Sequence, residues 1–191
     1  MAINLVEAVQ QKLNVKTLHK IDPNTNTIVK SAEAGHGNEI YQVAIPAVLT
    51  GLYKFTRIDE NNQAFVNNKD ENLLASFFGD NTKDVINKIA DVTASEAADT
   101  KAKMQQIAEV SLKVLRENLP EDFKDADVKN YLTAQRHHIL LYLHPDLNLG
   151  TYISDDTIDD STNKMEGPVS NVMHTIGQIF SASGNDKKEE I

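Results

Sequence analysis

The clearest hydrophobic pattern in the chain runs over residues 79–119 and predicts a helical hairpin. The apolar residues of its first helix recur at helical spacing and share one face; they are Val85, Ile86, Ile89 and Ala90. A second helix is expected from Thr93, because Thr93 and Glu96 have the spacing of a capping box, which satisfies early backbone N–H groups. Its broad stripe comprises Ala97, Met104, Ile107, Ala108, Ser111, Val114 and Leu115. Such a stripe is typical of a helix that packs against a core.

Four other segments show apolar residues at spacings of three and four positions, as in a helix. They are Ile3–Leu13, Glu39–Phe55, Asp127–His144, and a last helix that opens at Gly167-Pro168 and runs to Phe180. The second is the most apolar and is expected to be the central helix. Because Pro46 within it lacks an N–H, that helix should start near Ala44 or bend at the proline. The stripe of the third comprises Val128, Tyr131, Leu132, Gln135, Ile139, Leu140 and Leu143.

The connections between these helices are rich in Asn, Asp, Pro and Gly, which favour turns over helix. Asp22–Asn38 and Arg57–Asn72 are expected to be loops, the second of them anchored by Phe65 and Val66. Asp146–Gly167 shows no helical period, which is uncommon inside a compact domain unless the segment is functional or mobile.

Together these elements predict an all-α fold, a compact multi-helix bundle with long polar loops. Residues 1–180 are expected to form a single helical domain, in which residues 120–180 are a helical extension packed on residues 1–119. Residues 181–191 combine Ser, Gly and Asn with a charge run, and they are expected to be a disordered acidic and basic tail. Deleting all residues from Gly167 onward should therefore lower the melting temperature or cause aggregation, whereas deleting only residues 184–191 should have little effect.

Composition narrows the classes of function. The 191 residues are 40% hydrophobic, which is enough for a real core. The net charge of −9, with 19 basic against 28 acidic side chains and no basic cluster, argues against nucleic-acid binding. No cysteine is present, which fits a reducing compartment. The N-terminus lacks the pattern of a signal peptide, and no apolar run reaches the ~20 residues of a membrane span, so a cytoplasmic location is expected.

Three histidines form one candidate metal site near the end of the third segment, namely His137, His138 and His144. His137 and His144 share a helix face, but two helical turns separate them, which is too far for direct chelation of one ion. Histidines near a helix C-terminus are also favoured by the helix dipole when they are protonated. The preferred interpretation is therefore structural, and metal binding is the alternative.

An acidic stretch, residues 155–166, has the length of a calcium-binding EF-hand loop. Its oxygen-bearing residues at ligand positions are Asp155, Thr157, Asp159, Asn163 and Glu166. Of these, Asp155, Asp159 and Glu166 are the candidate calcium ligands. Asp160, however, occupies the position at which that loop needs glycine for its sharp turn, and no helix runs directly into it. A solvated acidic loop is therefore preferred, and no metal site or cofactor is expected.

The first part of the chain also resembles a known family. The order AIPAVLTGLYKF, then LLASFFGDNTKDVINKIADVT, then a Ser/Glu/Ala-rich cap and an apolar helix to LRENL resembles the bacterial YidB-like domain family of unknown function. The resemblance covers roughly residues 1–119. Ala44, Pro46, Ala47 and Gly79 stand where that family has an Ala-x-Pro-Ala helix followed by a glycine-led helix. The resemblance implies a helical fold and no known chemistry.

No catalytic motif is found: the chain lacks a Walker loop, a dinucleotide fingerprint, an HExxH pair and a Gly-x-Ser-x-Gly elbow. We therefore expect a non-enzymatic protein that works by association, with a protein partner or as a homo-oligomer. The alternative is a protein that binds a small molecule or a calcium-type metal through residues 155–166 or the three histidines.

Overall fold

The structure is a computed structural model, which describes residues 3–21, 39–58, 62–67 and 72–153. In these ranges the chain is all-α and contains no β-strand, so the predicted compact helical bundle is confirmed. The helices are α1 (Leu5–Leu13), α2 (Glu39–Ile58), α3 (Asn62–Asn67), α4 (Leu73–Phe78), α5 (Thr82–Val92), α6 (Ala97–Asn118), α7 (Asp125–Leu140) and α8 (Leu149–Ile153). Short 3-10 turns, Gly79–Asn81 and Pro145–Leu147, precede α5 and α8.

Every described residue belongs to one compact unit, Met1–Asp159. No helix in these described ranges has both the length and the apolar character to cross a membrane. The predicted helix over residues 167–180, its packing and the predicted tail all lie outside the described residues. They stay predictions.

Helix α2 lies at the centre of the bundle, where it contacts α1, α4, α5, α6, α7 and α8. Its buried apolar residues lie on all sides, as expected for a central helix; they include Ile40, Val43, Ile45, Val48, Leu49, Leu52 and Tyr53. Of the two alternatives predicted for this helix, the start near Ala44 is wrong, because α2 begins at Glu39 and continues through Pro46. The bend at the proline stays a prediction. Burial of the whole apolar circumference outweighs the one backbone hydrogen bond that the proline removes.

The hairpin of α5 and α6 is present, but the predicted capping box at its centre is not. Thr93 is the C-cap residue of α5, and its hydroxyl donates to the Ile89 carbonyl at 2.8 Å. Helix α6 begins only at Ala97, and the side chain of Glu96 makes no capping hydrogen bond. The prediction failed because the hydroxyl of a buried threonine can donate to a main-chain carbonyl of the preceding helical turn. A threonine bonded in this way does not cap the helix that follows.

The segment Arg57–Asn72 was predicted to be a loop, but it contains α3. The predicted anchors explain this short helix: Val66 is buried, and the Phe65 ring lies with its centroid 4.4 Å from that of Phe55. Gln63 fixes the helix to the start of α7. Its main-chain N–H donates to Asp125 Oδ1 at 2.6 Å, and its side-chain Nε2 donates to the Phe123 carbonyl at 2.7 Å.

The bounds predicted for the third segment, Asp127–His144, were also wrong, since α7 runs over Asp125–Leu140. The segment Asp146–Gly167 was predicted to have no helical period, but its first part completes the 3-10 turn Pro145–Leu147 and then forms α8, which buries Leu149 and Ile153. Asn81 donates from Nδ2 to the Tyr152 carbonyl at 2.6 Å and so holds α8 near the start of α5. A five-residue helix is too short to show an apolar period, so tertiary contacts rather than sequence pattern define it.

Candidate functional site

Among the described residues, the three candidate histidines do not come together in a group that could hold a metal ion. His137 and His138 lie in the last turn of α7 with ring centroids 6.0 Å apart, and His144 follows after the helix. In the part of the chain that the structure describes, no group of three or more His, Asp or Glu side chains could hold a metal ion. The described residues therefore give the histidine alternative no support. The candidate calcium ligands Asp155, Asp159 and Glu166 lie outside these residues, so that alternative stays a prediction.

His144 instead has a local structural role. Its Nδ1 accepts a hydrogen bond from the Asp146 N–H at 3.3 Å and so caps the 3-10 turn that begins at Pro145. Burial lowers the pKa of His144, while the Asp146 carboxylate, 3.9 Å from Nδ1, acts in the opposite direction. The neutral imidazole is the form that can accept this hydrogen bond, and it is the form that burial favours.

A small pocket lies between α2 and α7, lined by Thr50, Tyr53, Arg136, Ile139 and Leu140. Its volume of about 10 Å³ has room for roughly one water molecule. Ligand sites for drug-sized molecules are commonly ~300–1,000 Å³. This pocket is therefore a packing gap rather than a small-molecule site.

Two hydroxyls in the described core, Thr100 Oγ1 and Tyr131 Oη, are buried without a hydrogen-bond partner. Burial raises the pKa of Tyr131. The phenol therefore keeps its proton at neutral pH and is unsuited to act as a base.

The most specific polar contacts of the bundle are made by a buried glutamine of α2. Gln42 Oε1 accepts from the His19 N–H at 2.7 Å, and Gln42 Nε2 donates to the His19 carbonyl at 2.8 Å. One side-chain amide thus satisfies both main-chain groups of one residue, which is the exchange that an opposing residue makes in an antiparallel sheet. Gln42 therefore binds the peptide backbone and not a particular side chain.

A second buried glutamine, Gln135 of α7, makes the same kind of contact with the start of α1. Its Oε1 accepts from the Leu5 N–H at 2.9 Å, and its Nε2 donates to the Ile3 carbonyl at 3.0 Å. The Leu5 N–H is one of the donors that a helix start leaves without an intrahelical partner. The N-terminal residues are thus attached to both α2 and α7 through side-chain amides.

Residues 15–21, which we call the strap segment, are the non-helical part of this attachment. Besides the contact at His19, the Ile21 N–H donates to the Leu141 carbonyl at 2.9 Å, and Leu18 and Ile21 bury their side chains. Lys16, Thr17 and Lys20 are exposed. The strap segment is therefore held by main-chain hydrogen bonds and two apolar side chains.

Neither glutamine was predicted from the sequence to bind main-chain groups. The signal was present, because Gln135 falls on the predicted apolar stripe of its helix and Gln42 lies in the most apolar segment of the chain. A polar side chain on a buried face requires a hydrogen-bond partner. The partner could not be named, because the main-chain groups that it bonds lie far away in the sequence.

Comparisons of the chain with family models, with curated proteins and with solved structures gave no significant match. The resemblance to the YidB-like family therefore stays a prediction. The structure places Ala44, Pro46 and Ala47 in the buried centre of α2 and Gly79 directly after α4.

Proposed function

We propose that the protein is a non-enzymatic helical module that acts by association with a protein partner or with a second copy of itself. The observation that carries this proposal is the use of Gln42 and Gln135, whose buried amides bind main-chain groups of a distant segment. Amide side chains donate and accept hydrogen bonds without titrating near neutral pH. They are suited to holding a peptide rather than to transferring protons.

The histidine with the lowered pKa supports the same interpretation. His144 uses its acceptor nitrogen to cap a turn of its own backbone, so that nitrogen is occupied within the fold. A catalytic base would need the same nitrogen to face a substrate.

Two further proposals go with this function. The sequence resemblance supports membership of the YidB-like family for residues 1–119, and the cysteine-free composition supports a cytoplasmic location. The apolar residues over 169–180, predicted to share a helix face, would be a surface for association only if that helix does not pack on residues 1–119.

Size-exclusion chromatography with light scattering, over a range of concentrations, tests the association proposal for the full chain. We expect either a mass above that of the 21.2 kDa monomer or a stable complex with a protein recovered by pull-down. A recovered protein counts only if it binds again in purified form with a defined stoichiometry. A chain that remains monomeric and yields no such partner would overturn the proposal.

A further inference from the structure

We draw no further inference here: the strongest candidate, the apolar surface patch at the C-terminal end of α2, where Ile58 is exposed one helical turn after the half-buried Phe55, whose ring packs on Phe65, is an unpartnered face, and nothing in the described part of the chain shows what covers it.

Discussion

The ring of Phe78 lies against the backbone of Gly51, so that a Cβ atom at Gly51 would be 2.7 Å from the ring atoms Cε1 and Cζ. The same Cβ would be 3.2 Å from the Cβ of Phe77. Helices α2 and α4 can therefore approach this closely because residue 51 has no side chain.

Gly51→Ala should lower the free energy of unfolding by up to about 2 kcal/mol, since an overpacking cost of roughly 1–3 kcal/mol is offset only in part by a gain of about 1 kcal/mol in helix propensity. Urea unfolding followed by circular dichroism measures the change. Combining it with Phe78→Leu should make the two effects non-additive, because the smaller side chain leaves room for the methyl group. Strictly additive values would show that the ring does not set the cost.

Gln42→Ala should lower the free energy of unfolding by about 1–3 kcal/mol, because it leaves the N–H and the carbonyl of His19 without their partner. The matched control is Gln106→Ala, at an exposed position of α6, which should change the stability by less than about 0.5 kcal/mol. If both variants unfold at the same urea concentration, the contact at His19 does not stabilise the fold.

The lowered pKa of His144 predicts a loss of stability in mild acid. The unfolded chain binds the proton near the ordinary value of 6.5 and the folded chain binds it only at lower pH. Stabilisation by the neutral imidazole is therefore present above pH 6.5 and is lost as the pH falls through the lowered pKa. Urea unfolding at several pH values from neutral into mild acid measures this dependence.

His144→Asn is the variant that isolates this effect, because the asparagine Oδ1 stands at the same distance along the side chain as Nδ1 and can still accept from the Asp146 N–H, but does not titrate. We expect its stability to fall less than that of the wild-type chain over the same pH range. His137→Asn, at an exposed position of α7, should keep the wild-type dependence. Identical pH dependence of the His144→Asn and wild-type chains would contradict a role for this imidazole.

Calorimetric titration with calcium and with zinc checks the alternative function. We expect no saturable heat and no thermal shift, because Asp160 stands where an EF-hand loop needs glycine and the described histidines do not meet in a group of three. A saturable calcium signal that disappears in Asp155→Asn would favour the metal-binding alternative. A zinc signal lost in His137→Gln would point to the histidines.

The parts of the fold that could be predicted are those in which a long helix presents a regular apolar face. The stripes that contain Ile89 in α5 and Ile107 in α6 show this, since both residues are fully buried. Short elements such as α8 could not be predicted, because five residues show no period and their position depends on contacts such as that of Asn81 with Tyr152.

The candidate site was less predictable than the fold, for a related reason. Periodicity places Gln135 on a buried face, but it does not tell which main-chain groups lie opposite. The failure at Thr93 is similar, since its hydroxyl could serve the helix before it or the helix after it, and only the packed structure decides.

The hydrogen bond from the Leu5 N–H to Gln135 joins residues that are 130 positions apart, which has a consequence for synthesis of the chain. At the usual ~5–20 residues per second, a ribosome needs on the order of 10 s to proceed from one to the other. For that time α1 exists without the glutamine that completes its first turn. The N-terminal residues are therefore available to chaperones or to a neighbouring nascent chain until α7 has emerged.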